Sequence, residues 1–268
     1  MRLTISIVTF NNEDVISKAL SSIENSDLPP FDYDVMVVDN SSTDYTRDII
    51  TAKFPAVSLL SSKNVGFGAG HNLAIKTIAH KADYHLVMNP DICFEPGVLT
   101  GLLAFMDEHP EIGLAMPKIT YPDNSLQYLC KKLPTPFDLI GRRFLPGFIK
   151  YFFRDRLARY EFRDRDYNQA MEVPHLSGCF MMLRKEVFKT VGYFDERFFM
   201  YLEDVDFSRR VHARYKTVYF PGVTVCHEYH KGSYKRLRNL FYHMVSAIKY
   251  FNKWGWFKDP ERRTIDNL

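Results

Sequence analysis

His85-Leu86-Val87-Met88-Asn89-Pro90-Asp91 is the stretch whose reading decides the fold. An apolar run halted by a proline reads as a buried strand finishing at the edge of a sheet. An acid placed just past such a strand end lies where open α/β sheets bind their ligands. The group offered there is a carboxylate and not a glycine turn, which favours a metal or a hydroxyl-rich ligand. Asn-Pro-Asp is also an ordinary turn sequence, so the rest of the chain has to separate the two.

Upstream, Leu3 to Thr9 (LTISIVT) is rich in β-branched residues and predicts a buried first strand. Asn11-Asn12-Glu13-Asp14 supplies caps and first-turn acids for a helix with Val15, Ile16, Ala19, Leu20 and Ile23 on one face. Tyr33 to Val38 is a second strand, ending in the polar turn Asp39-Asn40-Ser41-Ser42. A helix through Arg47, Ile50 and Phe54 and a short strand over Val57 to Leu60 follow. The glycine-rich turn Asn64-Val65-Gly66-Phe67-Gly68-Ala69-Gly70 leads into a helix from His71 to His80, and the strand ending at Asn89 comes next. Gly97 to His109 reads as a further helix, striped by Leu99, Leu102, Leu103 and Met106. This alternation predicts an α/β fold with a mainly parallel, helix-covered sheet. Asn11, Asp39 and Asp91 then all stand just past the carboxyl ends of strands, a second sign of a ligand site.

A length of 268 residues suits one large α/β domain or one domain with an elaborated tail, and 46% hydrophobic residues exclude wholesale disorder. The 35 Lys+Arg against 32 Asp+Glu leave +3, too balanced to point to nucleic acid. Cys93, Cys130, Cys179 and Cys226 form no CxxC pair and no zinc spacing, which fits reduced thiols of a cytoplasmic protein. Met1 to Thr4 runs directly into a strand with no signal peptide, and no run approaches the ~20 apolar residues of a membrane span. Two segments are basic and aromatic together: Gly141 to Tyr167, and the tail from Ser233, with Lys235, Arg236, Arg238, Lys249 and Lys253 beside Leu237, Leu240, Phe241, Met244, Ile248 and Phe251. Both suit amphipathic helices on an anionic membrane surface, or helices packed on the core with solvated basic faces.

Phe198-Phe199-Met200-Tyr201-Leu202-Glu203-Asp204-Val205-Asp206-Phe207 carries three carboxylates within four positions among apolar residues. Such a cluster is costly unless a cation or donors satisfy it, and Arg209 and Arg210 are the nearest donors in sequence. Asp206 to Val211 reads as helical, placing Glu203 and Asp204 at a helix N-terminus, where an ionised carboxylate is favoured.

These motifs, taken in order, resemble glycosyltransferase family 2, inverting enzymes of the GT-A fold, and within it most closely the bacterial rhamnosyltransferases of surface polysaccharide biosynthesis. The resemblance runs from Leu3 to about Ser233 through ISIVTFNN, VVDNSS, NVGFGAGHN, NPD, the block SGCFMMLRKEVFKTVGYFDERFFMYLEDVDFSRR, and CHEYHKGS. It implies that Thr9, Phe10, Asn11 and Asp39 line the base and ribose pocket. Asn64, Gly66, Gly68 and Asn72 would hold the nucleotide on its diphosphate side. Asn89 and Asp91 fall at the family's DxD-type position, so Asp91 would bind a divalent cation (Mg²⁺ or Mn²⁺) bridging the donor diphosphate, with His227 completing the site. His230 is a weaker candidate for the same task. Ser177 and Gly178 would border donor sugar and acceptor, Asp204 would be the general base, and Glu203 its neighbour.

The implied reaction moves a sugar, L-rhamnose from dTDP-L-rhamnose in the leading reading, onto a glycan or polyprenyl-diphosphate-linked acceptor at the inner face of the cytoplasmic membrane. Another nucleotide sugar, such as a UDP-hexose or UDP-galactofuranose, or a catalytically silent glycan- or lipid-binding module, is the alternative. The implied organisation is a GT-A domain over 1–232, with a nucleotide-sugar half (1–115) and an acceptor half (116–232), then a basic helical extension over 233–268. A dinucleotide- or methyl-donor reading of Gly66 to Gly70 fails on position, because the turn follows the third strand and not the first. One carboxylate at Asn89-Pro90-Asp91 is too few for a strong cation site. Metal is therefore expected to bind weakly alone and more tightly with the nucleotide sugar.

Overall fold

The computed structural model describes residues 1–28, 32–139, 151–228 and 237–266. Strand β1 (Leu3–Thr9) is buried at every position. Leu3, Ile5 and Ile7 enter the main core. Thr4 and Ser6 face the other way and bury their hydroxyls against two histidines. Thr4 Oγ1 lies 2.8 Å from His85 Nδ1, and Ser6 Oγ lies 2.9 Å from His85 Nε2 and 2.8 Å from His71 Nδ1. A strand buried on both faces belongs in the middle of a helix-covered sheet. Accordingly β2 (Tyr33–Asp39) and β4 (Tyr84–Met88) flank β1 in parallel, and β3 (Ser58–Ser61) adds to β2 in parallel. Helices α1 (Ile16–Glu24), α2 (Thr46–Lys53) and α3 (Phe67–Ile78) make the crossovers, α3 packing on β1 and β2.

Beyond β4 the sheet changes direction. Short β5 (Ile92–Cys93), β6 (Ile112–Thr120), β7 (Met171–Glu172), β8 (Phe180–Arg184) and β9 (Lys216–His227) complete it, in the order β3-β2-β1-β4-β8-β6-β9-β5, with β7 pairing to β9. Strand β8 is antiparallel to both neighbours, whereas β6 and β9 run parallel over most of their length. Pro117, which has no N–H for a ladder, coincides with a register shift between β6 and β9. The fold is therefore a mixed sheet, parallel over most of its paired length. The remaining helices are α4 (Val98–Glu108), α5 (Arg154–Tyr160), α6 (Glu186–Thr190), α7 (Glu203–His212), α8 (Leu237–Trp254) and α9 (Pro260–Asp266).

Two local expectations are corrected. Helix α3 begins at Phe67, not His71, so the last four residues of the glycine run are helical. A Cβ on Gly68 would come within 2.9 Å of Phe194 and one on Gly70 within 2.9 Å of Val8, so these glycines allow the helix to pack closely. Residues Asn11 to Asp14 do not cap α1, whose N-cap is Val15 with no side-chain bond. Asn11 Oδ1 instead accepts from the Thr43 amide at 2.8 Å, and Glu13 Oε2 from the Tyr45 amide at 2.8 Å. They stitch the turn after β1 to the turn after β2, holding two strand ends together.

The tail packs onto the rest of the chain. Ala247, Tyr250 and Phe251 of α8 bury against Phe198, Leu202 and Val205 at the start of α7. An adjoining face of α8 leaves Phe241 64%, Met244 39% and Ile248 46% exposed. No helix among the described residues is long and apolar enough to cross a membrane. Of the two basic segments, residues 141–150 and 233–236 lie outside the described residues, as does His230.

Candidate active site

The strand end at Asn89-Pro90-Asp91 is tied into place by backbone bonds. The Asn89 amide donates to the Cys179 carbonyl at 2.9 Å, and the Glu228 amide donates to the Asp91 carbonyl at 2.9 Å. Strand β5 pairs Ile92 directly with His227 of β9. Together these bring His227 Nε2 to 3.3 Å from Asp91 Oδ1. Asp91 Oδ1 is buried and has no hydrogen-bond partner among the described residues. A buried, unsatisfied carboxylate oxygen facing an imidazole nitrogen fits a divalent cation. No group of three His, Cys, Asp or Glu side chains that could hold a metal forms among the described residues. A cation here would thus need further oxygen ligands from outside the protein, as a diphosphate offers.

The second arm of the site is the start of α7. Tyr201 (φ 69°) and Leu202 (φ 65°) both sit in the left-handed region, which bulky side chains occupy only under constraint. The constraint comes from α8: Ser246 Oγ donates to the Met200 carbonyl at 2.8 Å, and Leu202 is buried in the α7–α8 contact. The reward is orientation. The double turn delivers Glu203 and Asp204 to the first turn of α7, where Asp204 Oδ1 accepts from the Val205 amide at 2.8 Å and Oδ2 from the Gly178 amide at 3.0 Å. His175 Nε2 lies 3.6 Å from Asp204 Oδ2.

These contacts push the two adjacent acids apart. Burial works to raise the Asp204 carboxyl, but His175, the Gly178 amide and Lys131 outweigh it and hold Asp204 below the ordinary carboxylate range. Burial and the neighbouring Asp204 charge raise Glu203, whose Oε2 has no hydrogen-bond partner among the described residues. One acid is therefore kept ionised and the other favours its proton, the division expected where two carboxyls are crowded together. Cys179 lies between the two arms: burial, with the charges of Asp91 and Asp204, pushes its thiol up to about 12. It is an inert neighbour rather than a nucleophile.

A cleft of about 1370 Å³ opens over this floor, and Asn89, Ser177, Gly178, Glu203, Asp204 and His227 all line it. The described part of the first basic segment is another wall: Arg154, Leu157, Tyr160 and Arg163 face the cleft, with the Arg163 guanidinium 4.1 Å from the centre of the Tyr128 ring.

The other predicted residues form a separate rim at the ends of β1 to β3. Thr9 is buried and donates to Asn12 Oδ1 at 3.0 Å, Asn11 has φ 56°, and Phe10 is 46% exposed. Asp39 is buried and accepts from the Ser42 amide at 3.1 Å. Asn64 Oδ1 accepts from the Gly66 amide at 3.2 Å. Gly66 has φ 90°, and a Cβ there would fall 2.0 Å from the Phe199 carbonyl oxygen, so the close approach it permits is to the chain itself. Asn72 is buried and its amide is engaged with the Phe194 backbone and Glu196, which makes it a brace for that loop.

Sequence reasoning missed His175, Lys131, Gln127 and His243 in the cleft walls. His175 had a usable signal, standing two residues before Ser177; Gln127 belongs to no motif. The expectation that Arg209 and Arg210 satisfy the acid cluster holds in part. Arg210 Nε reaches Asp206 Oδ2 at 2.9 Å, while Arg209 turns to Asp259 and Glu261 in the tail.

Residues 4–192 match the family model described as glycosyl transferase family 2. The chain belongs to that family and is a glycosyltransferase. It is 28% identical over 277 residues to the N-acetylglucosaminyl-diphospho-decaprenol L-rhamnosyltransferase of Mycobacterium tuberculosis, covering 98% of this chain and 89% of that protein. It is 25% identical over 252 residues to rhamnosyltransferase WbbL of Escherichia coli K12, covering 91% and 90%. Among solved structures, S. aureus TarS 1-349 in complex with UDP-GlcNAc superposes with a TM-score of 0.61 at 18% identity, over 99% of this chain and 70% of that one. The mannosyltransferase PcManGT of Pyrobaculum calidifontis, in complex with GDP-Man and Mn²⁺, gives 0.60 at 18% identity over 92% and 64%. At these identities the structural likeness shows the fold alone, and that fold is GT-A.

Proposed function

We propose that this glycosyltransferase moves L-rhamnose from dTDP-L-rhamnose to a polyprenyl-diphosphate-linked glycan of a bacterial cell surface, inverting the anomeric centre with Asp204 as general base. The observation that carries the reading is Asp204 itself: an ionised carboxylate on the cleft floor, beside Ser177 and Gly178 and across Cys179 from Asp91. The M. tuberculosis and E. coli relatives, which each cover nine-tenths or more of the chain, are both named rhamnosyltransferases, and one name specifies a lipid diphosphate acceptor. They support the donor and acceptor classes.

In this reading the rim (Thr9, Phe10, Asn11, Asp39, Asn64 and Gly66) receives the nucleotide, with the half-exposed Phe10 ring available to a base. Ser177 and Gly178 border the sugar. The acceptor hydroxyl oxygen attacks the anomeric carbon from the face opposite the diphosphate. Its proton passes to Asp204 as the bond to the diphosphate breaks and leaves its electron pair on the phosphate oxygen. A carboxylate held at low basicity suits this order, because the hydroxyl becomes strongly acidic only as the new C–O bond forms. Asp91 and His227 would hold a divalent cation, which when bound offsets the charge developing on the leaving diphosphate. Residues 1–115 would serve the donor and 116–232 the acceptor. Residues 233–268 would add a membrane-facing surface through the exposed side of α8, which supports a peripheral place on the anionic inner leaflet.

A donor screen tests the reading. dTDP-L-rhamnose, UDP-hexoses and UDP-galactofuranose are each incubated with the enzyme, Mn²⁺ and a polyprenyl-diphospho-N-acetylglucosamine acceptor. Rhamnosyl product from dTDP-L-rhamnose, in the inverted configuration, is the expected result. Product from a UDP-sugar alone would move the enzyme to another donor, and no product from any of these donors would overturn the reading of donor and acceptor.

A further inference from the structure

We propose that Gln127 is a positioning residue for His227: it fixes the imidazole as the Nδ1–H tautomer and so turns Nε2, as a lone pair, toward Asp91. The inference rests on the cation reading of the Asp91–His227 pair, but its core is a statement about this chain's own hydrogen bonds.

Gln127 is 4% exposed, and its backbone amide is anchored to the Ile119 carbonyl at 2.9 Å. Its side-chain amide can be oriented without ambiguity. One terminal atom lies 2.9 Å from the His227 carbonyl oxygen and 3.3 Å from the Thr120 carbonyl oxygen. Carbonyl oxygens only accept, so that atom is the NH₂ group, Nε2. The other terminal atom, Oε1, then lies 3.0 Å from His227 Nδ1. An amide oxygen also only accepts, so Nδ1 must carry the hydrogen. In a neutral ring this leaves the lone pair on Nε2, the nitrogen 3.3 Å from Asp91 Oδ1. Two electron-rich atoms thus face each other, an arrangement that a divalent cation would relieve.

The backbone fixes the other degrees of freedom. The Ile92–His227 pairing and the Glu228-to-Asp91 bond set the approach of the two side chains, and Gln127 sets the ring's face and tautomer. Gln127 also ties the end of β6 to the end of β9, since Thr120 and His227 close those strands. Partners of this kind, bonded to the far nitrogen of a ligating histidine, typically change metal affinity by about 10–100-fold when removed.

The test has a metal-free and a metal-loaded readout, applied to the full chain. Ring ¹⁵N NMR of histidine-labelled protein, at a pH where the ring is neutral and with His227 assigned by difference from His227→Gln, reports the tautomer. The wild type is expected to show Nδ1–H. Gln127→Leu is expected to lose that signature, and Gln127→Glu, which keeps the acceptor, to retain it. Nε2–H in the wild type, or no difference between the two variants, would overturn the proposal. Separately, Mn²⁺ binding followed by electron paramagnetic resonance with dTDP present is expected to weaken about 10–100-fold in Gln127→Leu and to be abolished in Asp91→Asn. Wild-type Mn²⁺ affinity in Gln127→Leu, with loss in Asp91→Asn, overturns the role of Gln127 alone. Unchanged Mn²⁺ binding in Asp91→Asn overturns the cation reading instead.

Discussion

Arg209, on the helix that begins with Glu203 and Asp204, meets Asp259 of the C-terminal tail in a bidentate pair at 2.6 and 2.7 Å. Both residues are almost wholly buried, at 2% and 1% exposure. The guanidinium also bonds Glu261 at 2.7 Å and lies 3.9 Å from the centre of the Trp254 ring. On the same helix, Asp206 accepts from Trp254 Nε1 at 2.8 Å and pairs with Lys253 at 2.6 Å. The tail therefore braces α7 from behind while α8 clamps its first turn.

Breaking one side of this pair strips a buried guanidinium of its bidentate partner and leaves the more exposed Glu261 to balance it. Asp259→Asn is expected to cost about 3–5 kcal/mol of stability, and the double variant Arg209→Met/Asp259→Leu to recover much of that loss. Urea unfolding of the three proteins checks both statements. Equal losses in the single and double variants would show that the pair is not what holds the tail to α7.

Acid should weaken the fold through the buried histidines. Burial pushes His85 down to about 3 from an ordinary 6.5, and burial with the nearby His85 lowers His71 well below its ordinary value. Depressed imidazoles mean that the unfolded chain takes up protons first, so stability falls as pH drops from about 6.5 toward about 3. Each unit of pKa difference is worth about 1.4 kcal/mol. His85→Gln is expected to flatten the slope of unfolding free energy against pH in that window. A slope identical to wild type would place the acid sensitivity elsewhere.

The exposed stripe of α8 gives the membrane reading a specific form. Phe241, Met244 and Ile248 fall three and four residues apart on one side of the helix. Replacing all three with serine is expected to reduce binding to anionic liposomes at low salt by at least about tenfold, because each buried apolar side chain is worth roughly 1.5–3 kcal/mol. Thermal stability should stay near wild type. Liposome flotation decides it; a wild-type protein that ignores anionic vesicles would remove the membrane surface from the account.

The parallel half of the fold was legible because its signals are local. LTISIVT, the polar turn at Asp39 and the Asn89-Pro90-Asp91 stop each mark a strand end within a residue or so of where it lies. Strands β8 and β9 were harder, since Phe180 to Arg184 pairs antiparallel with β4 from nearly a hundred residues away and no local pattern announces that reversal. The glycine run misled about the start of α3 because its glycines serve close packing as well as turning. Within the site, Asp91, His227 and Asp204 belong to motifs and were named from them. Gln127, His175 and the Arg209–Asp259 clamp depend on contacts between distant segments, and each partner alone is an ordinary residue.

The most direct test of the central claim is the transfer rate of Asp204→Asn. Asparagine is close to isosteric and keeps an oxygen for the Val205 or Gly178 amide, so the variant should fold, with a melting temperature near wild type. It cannot take the acceptor's proton, and general-base assistance is worth about 10²–10⁴-fold. Sugar transfer at least about a hundredfold slower, with nucleotide binding retained, is the result predicted here. Turnover near the wild-type rate in a folded Asp204→Asn protein would contradict it.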